Sequence, residues 1–208
     1  MKRLLFLLTM IFFVTALSAQ DITGTWGGVF YAPRKNVSFP YFFFLDIQQK
    51  GKTVWGVYST GDSSVSNSYS CLTSVSATLS KKPGALIDLY KEKVEDFDKK
   101  GMSRDICNFV NRLGMHYFIE DGIEYITGKW YSESSGGSAG DGAGGAFVLH
   151  RIAASPTRNI DQYFPKLERM IEKGKSDEPI VLKADNISYA TPLEKKLIDA
   201  MKGIIGKN

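Results

Sequence analysis

Between residues 39 and 49 the side chains alternate with a period of two. Tyr41, Phe43, Leu45 and Ile47 fall on one face, and Phe42, Phe44, Asp46 and Gln48 fall on the other. The second set ends polar, so it is read as the outer face and the first as the inner one. The same alternation recurs seven more times. Residues 21–31 put Ile22, Gly24, Trp26, Gly28 and Phe30 on one face, and further strands are read at 53–60, 71–80, 85–92, 115–120, 123–133 and 146–152. Turn chemistry separates three of the pairs: Gln49-Lys50-Gly51-Lys52, Lys81-Lys82-Pro83-Gly84 and Asp121-Gly122. The pentad Ile-Thr-Gly-X-Trp occurs twice, at 22–26 and 126–130. Eight short strands in sequence predict an all-β chain, an eight-stranded up-and-down antiparallel β-barrel.

Connection lengths give the barrel a polarity. Strand pairs two–three, four–five and six–seven meet at tight turns, which must share one end. The links after strands one, three, five and seven (residues 32–38, 61–70, 93–114 and 134–145) fall at the other end and make an elaborate mouth. The last of these is a low-complexity glycine–serine run. In the longest, Ser103 is a good N-cap, Ile106, Phe109, Val110 and Leu113 recur at helical spacing, and Gly114 offers a stop. A short helix is therefore expected in the strand 5–6 link. Long loops at one end also have a plain reading as tolerated insertion.

Past residue 153 the pattern turns helical. Residues 160–173 carry Tyr163, Phe164, Leu167, Met170 and Ile171. A second helix is read from Thr191 as N-cap, with Pro192 at its first position, Glu194 closing a capping box, and Leu193, Leu197, Ile198, Met201, Ile204 and Ile205 as one apolar stripe. The expected organisation is 1–19 as a signal peptide, 20–153 as the barrel and 154–208 as a helical appendage packing on the barrel exterior. A partner-binding helix is the alternative use of the stripe.

The signal peptide rests on Lys2 and Arg3 ahead of an apolar run from Leu4 to Leu17, with small Ala16, Ser18 and Ala19 following. That run is short for a membrane span and has the charge–apolar–small order of a secretory signal. Cleavage fits after Ala19 or after Ser18. The expected location is secreted or periplasmic, with no membrane span. Without the signal, 24 basic side chains face 22 acidic ones, a balance that gives no electrostatic case for nucleic acid.

Gly24-Thr25-Trp26 in the first strand, followed by eight strands and a closing Phe147-Val148-Leu149-His150-Arg151, resembles the lipocalin and avidin-like barrels, especially small lipocalin-like domains of secreted bacterial proteins. The resemblance covers residues 21–152. It implies that Trp26 plugs the closed end and that Arg151 packs across it as a structural cation–π pair. The lipocalin Asp-Tyr loop motif is missing between strands six and seven, where the chain reads Glu120-Asp121-Gly122, and the avidin ligand pattern is missing after Trp26. The resemblance therefore implies a fold and no particular ligand.

Two cysteines in an exported chain permit one bridge. Cys71 begins strand four at the mouth end and Cys107 lies in the mouth helix, so a Cys71–Cys107 disulfide is expected, with two buried free thiols as the alternative. Aromatic residues suggest the working surface. Phe30, Tyr41, Phe43, Tyr58, Phe109 and Trp130 are the candidate ligand-binding residues, lining an apolar cavity in or at the mouth. The same side chains could instead fill a small barrel solid. Catalytic signals are sparse. His116 and His150 both face outward in the inferred register, no spacing resembles a metal site, and Asp46, Asp88, Glu124 and Glu133 read as solvated strand carboxylates. No cofactor is implied, and the enzyme reading is the weakest of three. The first is a binding protein for a small, largely apolar ligand. The second is a non-catalytic protein-interaction or envelope accessory module, such as an inhibitor, built on a filled barrel.

Overall fold

A computed structural model of the chain describes residues 21–31, 40–61, 69–79, 87–97, 110–131 and 144–175. Eight antiparallel strands close into one barrel in sequence order: β1 Gly24–Tyr31, β2 Pro40–Lys50, β3 Thr53–Gly61, β4 Tyr69–Thr78, β5 Ile87–Phe97, β6 Arg112–Glu120, β7 Ile123–Tyr131 and β8 Gly144–Ala153. Closure occurs where Trp26 pairs with Arg151 and Phe30 with Phe147. With β8 laddered to β1, the sheet keeps no free edge. The tight turn after β6 has positive φ at both Asp121 (53°) and Gly122 (78°). A two-residue hairpin connection of the Asp-Gly kind demands that backbone.

The alternation read from the sequence fixes the interior. Phe43, Leu45 and Ile47 of β2 and Trp26 of β1 are buried in one cluster with Val54, Tyr58, Leu113, Tyr117, Ile126, Trp130, Phe147 and Leu149. Phe42 (48% exposed) and Phe44 (40%) face out. The register also gives the expected polarity. Strands β1, β3, β5 and β7 all run toward one end, so the links 32–39, 62–68, 98–109 and 132–143 leave from that end; they lie outside the described residues. The expected Lys81–Gly84 turn lies outside them too.

Two elements differ from expectation. β5 runs to Phe97 rather than ending near residue 92, because its ladder with β4 shifts register twice, between Leu72/Thr73 and Ser74/Val75. Each shift breaks the period of two that makes a strand legible. β6 begins at Arg112, so Leu113 is an inward strand residue and Val110 is extended chain before the strand; neither is helical. Ser103, Ile106, Cys107 and Phe109 of the expected helix lie outside the described residues.

After β8 the chain folds back over the outer wall. A 3-10 turn, Asp161–Tyr163, and the helix α1, Leu167–Lys173, replace the single helix expected over 160–173. Pro165 explains the break, since its ring cannot be accommodated inside a helix. The expected apolar face is used nonetheless. Ile160 and Phe164, with Tyr163, Leu167, Met170 and Ile171, pack on Trp55, Val57 and Leu72, which β3 and β4 turn outward. The Lys52 amide donates to the Gly174 carbonyl (3.0 Å), fastening the end of α1 to the β2–β3 turn. The Thr191–Ile205 stripe lies outside the described residues, as do residues 1–20 and the signal reading placed there.

Candidate functional site

The closed end is locked by side chains that the period of two points inward. Trp26 is fully buried, its indole donates to the Ile22 carbonyl (2.9 Å), and its ring meets Tyr117 edge-on at 6.1 Å. Arg151 lies over the Trp26 ring, 4.4 Å from its centre, as the resemblance implied. Its guanidinium also pairs with Glu124 and donates to the carbonyls of Thr23 and Asp21. Tyr117 donates to the same Glu124 (2.8 Å). Burial, and then that carboxylate, push the Tyr117 hydroxyl up to about 12. Glu124 is thus the hub of a lock, not the solvated carboxylate expected.

The mouth half holds the aromatic residues singled out from the sequence. Phe43 stacks on Tyr58 (5.2 Å between ring centres) and on Phe147 (5.7 Å). Trp130 points inward opposite Leu113 and is buried. Tyr58 sends its hydroxyl across to the Val110 carbonyl (3.2 Å), and burial drives its pKa up. Val110 precedes β6, so the chain entering that strand leans over the interior. Phe43, Tyr58 and Trp130 are therefore brought together inside the barrel. The backbone register sets Phe30 beside both Tyr41 and Phe147 at the mouth, while the side chains of Phe30 and Tyr41, and all of Phe109, lie outside the described residues. Sequence reasoning missed Phe147. Its alternation with Leu149 opposite Gly28 carried the signal.

The outer wall holds the larger surprises. Asp46, expected in solvent, is 1% exposed. It accepts from Thr25 Oγ1 (2.5 Å), from the Thr157 amide (3.1 Å) and Oγ1 (3.2 Å), and faces Arg158 at 3.6 Å. A buried carboxylate needs such a full set of partners. Here they clamp the segment after β8 to the barrel. Asp88 is also paired: Arg112 donates to it through Nε (2.9 Å) and Nη2 (2.8 Å) while lying against the Tyr90 and Tyr131 rings. Glu133 lies outside the described residues. His150 faces outward as expected but is half-buried, and burial lowers its pKa against an opposing backbone hydrogen bond at Gly27.

Among the described residues no group of three His, Cys, Asp or Glu side chains is placed to hold a metal ion, and no helix is long and apolar enough to cross a membrane. Cys71 is buried beside Val94. Cys107, the other cysteine of the chain, lies outside the described residues. No protein-family model matches the chain, and no curated protein matches it either.

Proposed function

We propose that this chain is an exported, non-catalytic barrel of lipocalin- or avidin-like type that works through its surface, as a protein-interaction or envelope accessory module. The observation that carries the reading is the packed interior. Phe43 is sandwiched between Tyr58 and Phe147, the Tyr58 hydroxyl is tied to Val110, and the Trp26–Arg151–Glu124 lock lies below. Eight strands leave a bore barely wider than its own side chains, and these side chains use it. Glu124 with Arg151 and Tyr117, Asp88 with Arg112, and Asp46 with Arg158 are engaged as ties, which suits a scaffold better than a reactor. The lipocalin-like kinship rests on Gly24-Thr25-Trp26 and Arg151, and export rests on the character of residues 1–19.

One observation favours the container reading instead. The register row Tyr41–Phe30–Phe147 gathers three aromatic positions at the mouth, where a small apolar ligand could seat above the packed layer. Native mass spectrometry of the mature protein separates the two. The surface reading expects the bare chain mass. A retained apolar small molecule would overturn it in favour of the container.

A further inference from the structure

The segment after β8 does not lie flush on the barrel. A cleft of about 600 Å³ stays open between the outer wall of β3, β4 and β5 and the segment from Tyr163 to Lys173. Its size is that of a small-molecule site. The two register shifts of β5 lie beside it, and such irregularities re-aim side chains out of the simple alternation. The floor is acidic and built. The Glu95 side chain is only 10% exposed; it accepts from Ser74 Oγ (2.7 Å) and from Lys93 Nζ (3.2 Å). Glu92 accepts from Ser76. The facing wall supplies Tyr163, Phe164 and Met170 as apolar surface, with Lys166 and Lys173 also lining the cleft.

Glu92 and Glu95, the latter paired with Lys93, thus line one wall, and Lys166 and Lys173 line the other. A ligand with a single charge of either sign meets its like on one side, whereas a ligand carrying both charges at its two ends is complementary to both. We propose that this cleft binds a zwitterion of the amino-acid or short-peptide class. Its α-ammonium faces Glu92 and Glu95, its carboxylate faces Lys166 and Lys173, and its side chain lies against Tyr163 and Met170. The site is separate from the barrel interior and does not depend on whether the barrel is filled.

Amide correlation spectra of the mature chain test this with three probes: phenylalanyl-glycyl-glycine, its N-acetyl form and its C-terminal amide. The free tripeptide should move the amides of Ser74, Ser76 and Glu95 saturably, and each blocked form should bind about tenfold more weakly, the size of losing one charged hydrogen bond. Lys166→Ala, on the exposed side, should weaken the free peptide and leave the amide unchanged. Glu95→Gln should weaken the free peptide and leave the N-acetyl form unchanged. Absence of saturable shifts, equal binding of blocked and free forms, or shifts confined to the mouth would each overturn the proposal. A ligand retained inside the barrel would overturn the surface reading above and leave this one standing.

Discussion

At the scale of single residues, the best-read position is Trp26. It shares a face of the alternation with Ile22 and Phe30, the resemblance to lipocalin-like barrels implied its place at the closed end, and it is fully buried. Trp26→Ala should destabilise the fold by about 3–5 kcal/mol, the range for emptying a large aromatic site in a core. Chemical denaturation measures it, and a loss below about 1 kcal/mol would contradict the Trp26–Arg151 lock. Asp46 was misread for a definable reason. Its parity puts it on the outer face, and an outer carboxylate is ordinarily wet. Nothing in residues 39–49 announces that Thr157 and Arg158, more than a hundred positions later, return to cover it. His150 is similar, outward by parity yet partly desolvated. The unfolded chain takes up a proton near the ordinary value of 6.5, while the folded chain resists until a lower pH. Stability should therefore be flat above about pH 6.5 and fall as the solution is acidified through the depressed value. His150→Gln should flatten that part of a melting-temperature profile. An unchanged acid slope would show that His150 does not set it.

Among elements, β2 and β7, whose ladders run without a register shift, were placed within two residues, whereas β5 was cut short where its register shifts begin. Leu113 shows how two periods compete. With Phe109 and Val110 it fits helical spacing, but with Met115 and Tyr117 it fits a strand, and the closed ladder with β7 decided for the strand. The appendage was legible as an apolar face and not as a shape, because Pro165 divides it. Removing residues 154–208 should uncover Trp55, Val57 and Leu72 and raise binding of an apolar dye, while a chain ending after Lys175 should keep that cover. Equal dye binding by both truncations would refute the packing described. Cys71 leads to a separate expectation. Protein from an oxidising compartment should show no labelled thiol after denaturation, with Cys71 joined to Cys107, and the bridge should contribute about 3–4 kcal/mol through loop closure. Two labelled cysteines per chain would defeat the pairing.

For the whole molecule, fold class and chain polarity could be read in advance because closure needs only eight alternating strands and the right connections. Whether the bore is open could not be read, since the same aromatic residues either line a cavity or fill it. The stack of Phe43 with Tyr58 and Phe147 makes the two cases separable by the sign of one response. In a filled barrel Phe43→Ala opens a void, so a small apolar probe that the parent ignores should bind the variant, as engineered apolar cavities do. In a container the parent binds and the variant binds less.

The seam between β1 and β8 has a consequence for how the barrel assembles. Every other ladder joins strands that follow one another in sequence, whereas this one sets Trp26 opposite Arg151, 125 positions later. A pairing between such distant positions must fix the chain between them before it returns any bonds. In refolding this seam should therefore be the last to close, read as amide protection of Val29 and Val148 arriving after that of the β2–β3 hairpin. Protection gained at both places together would refute that order.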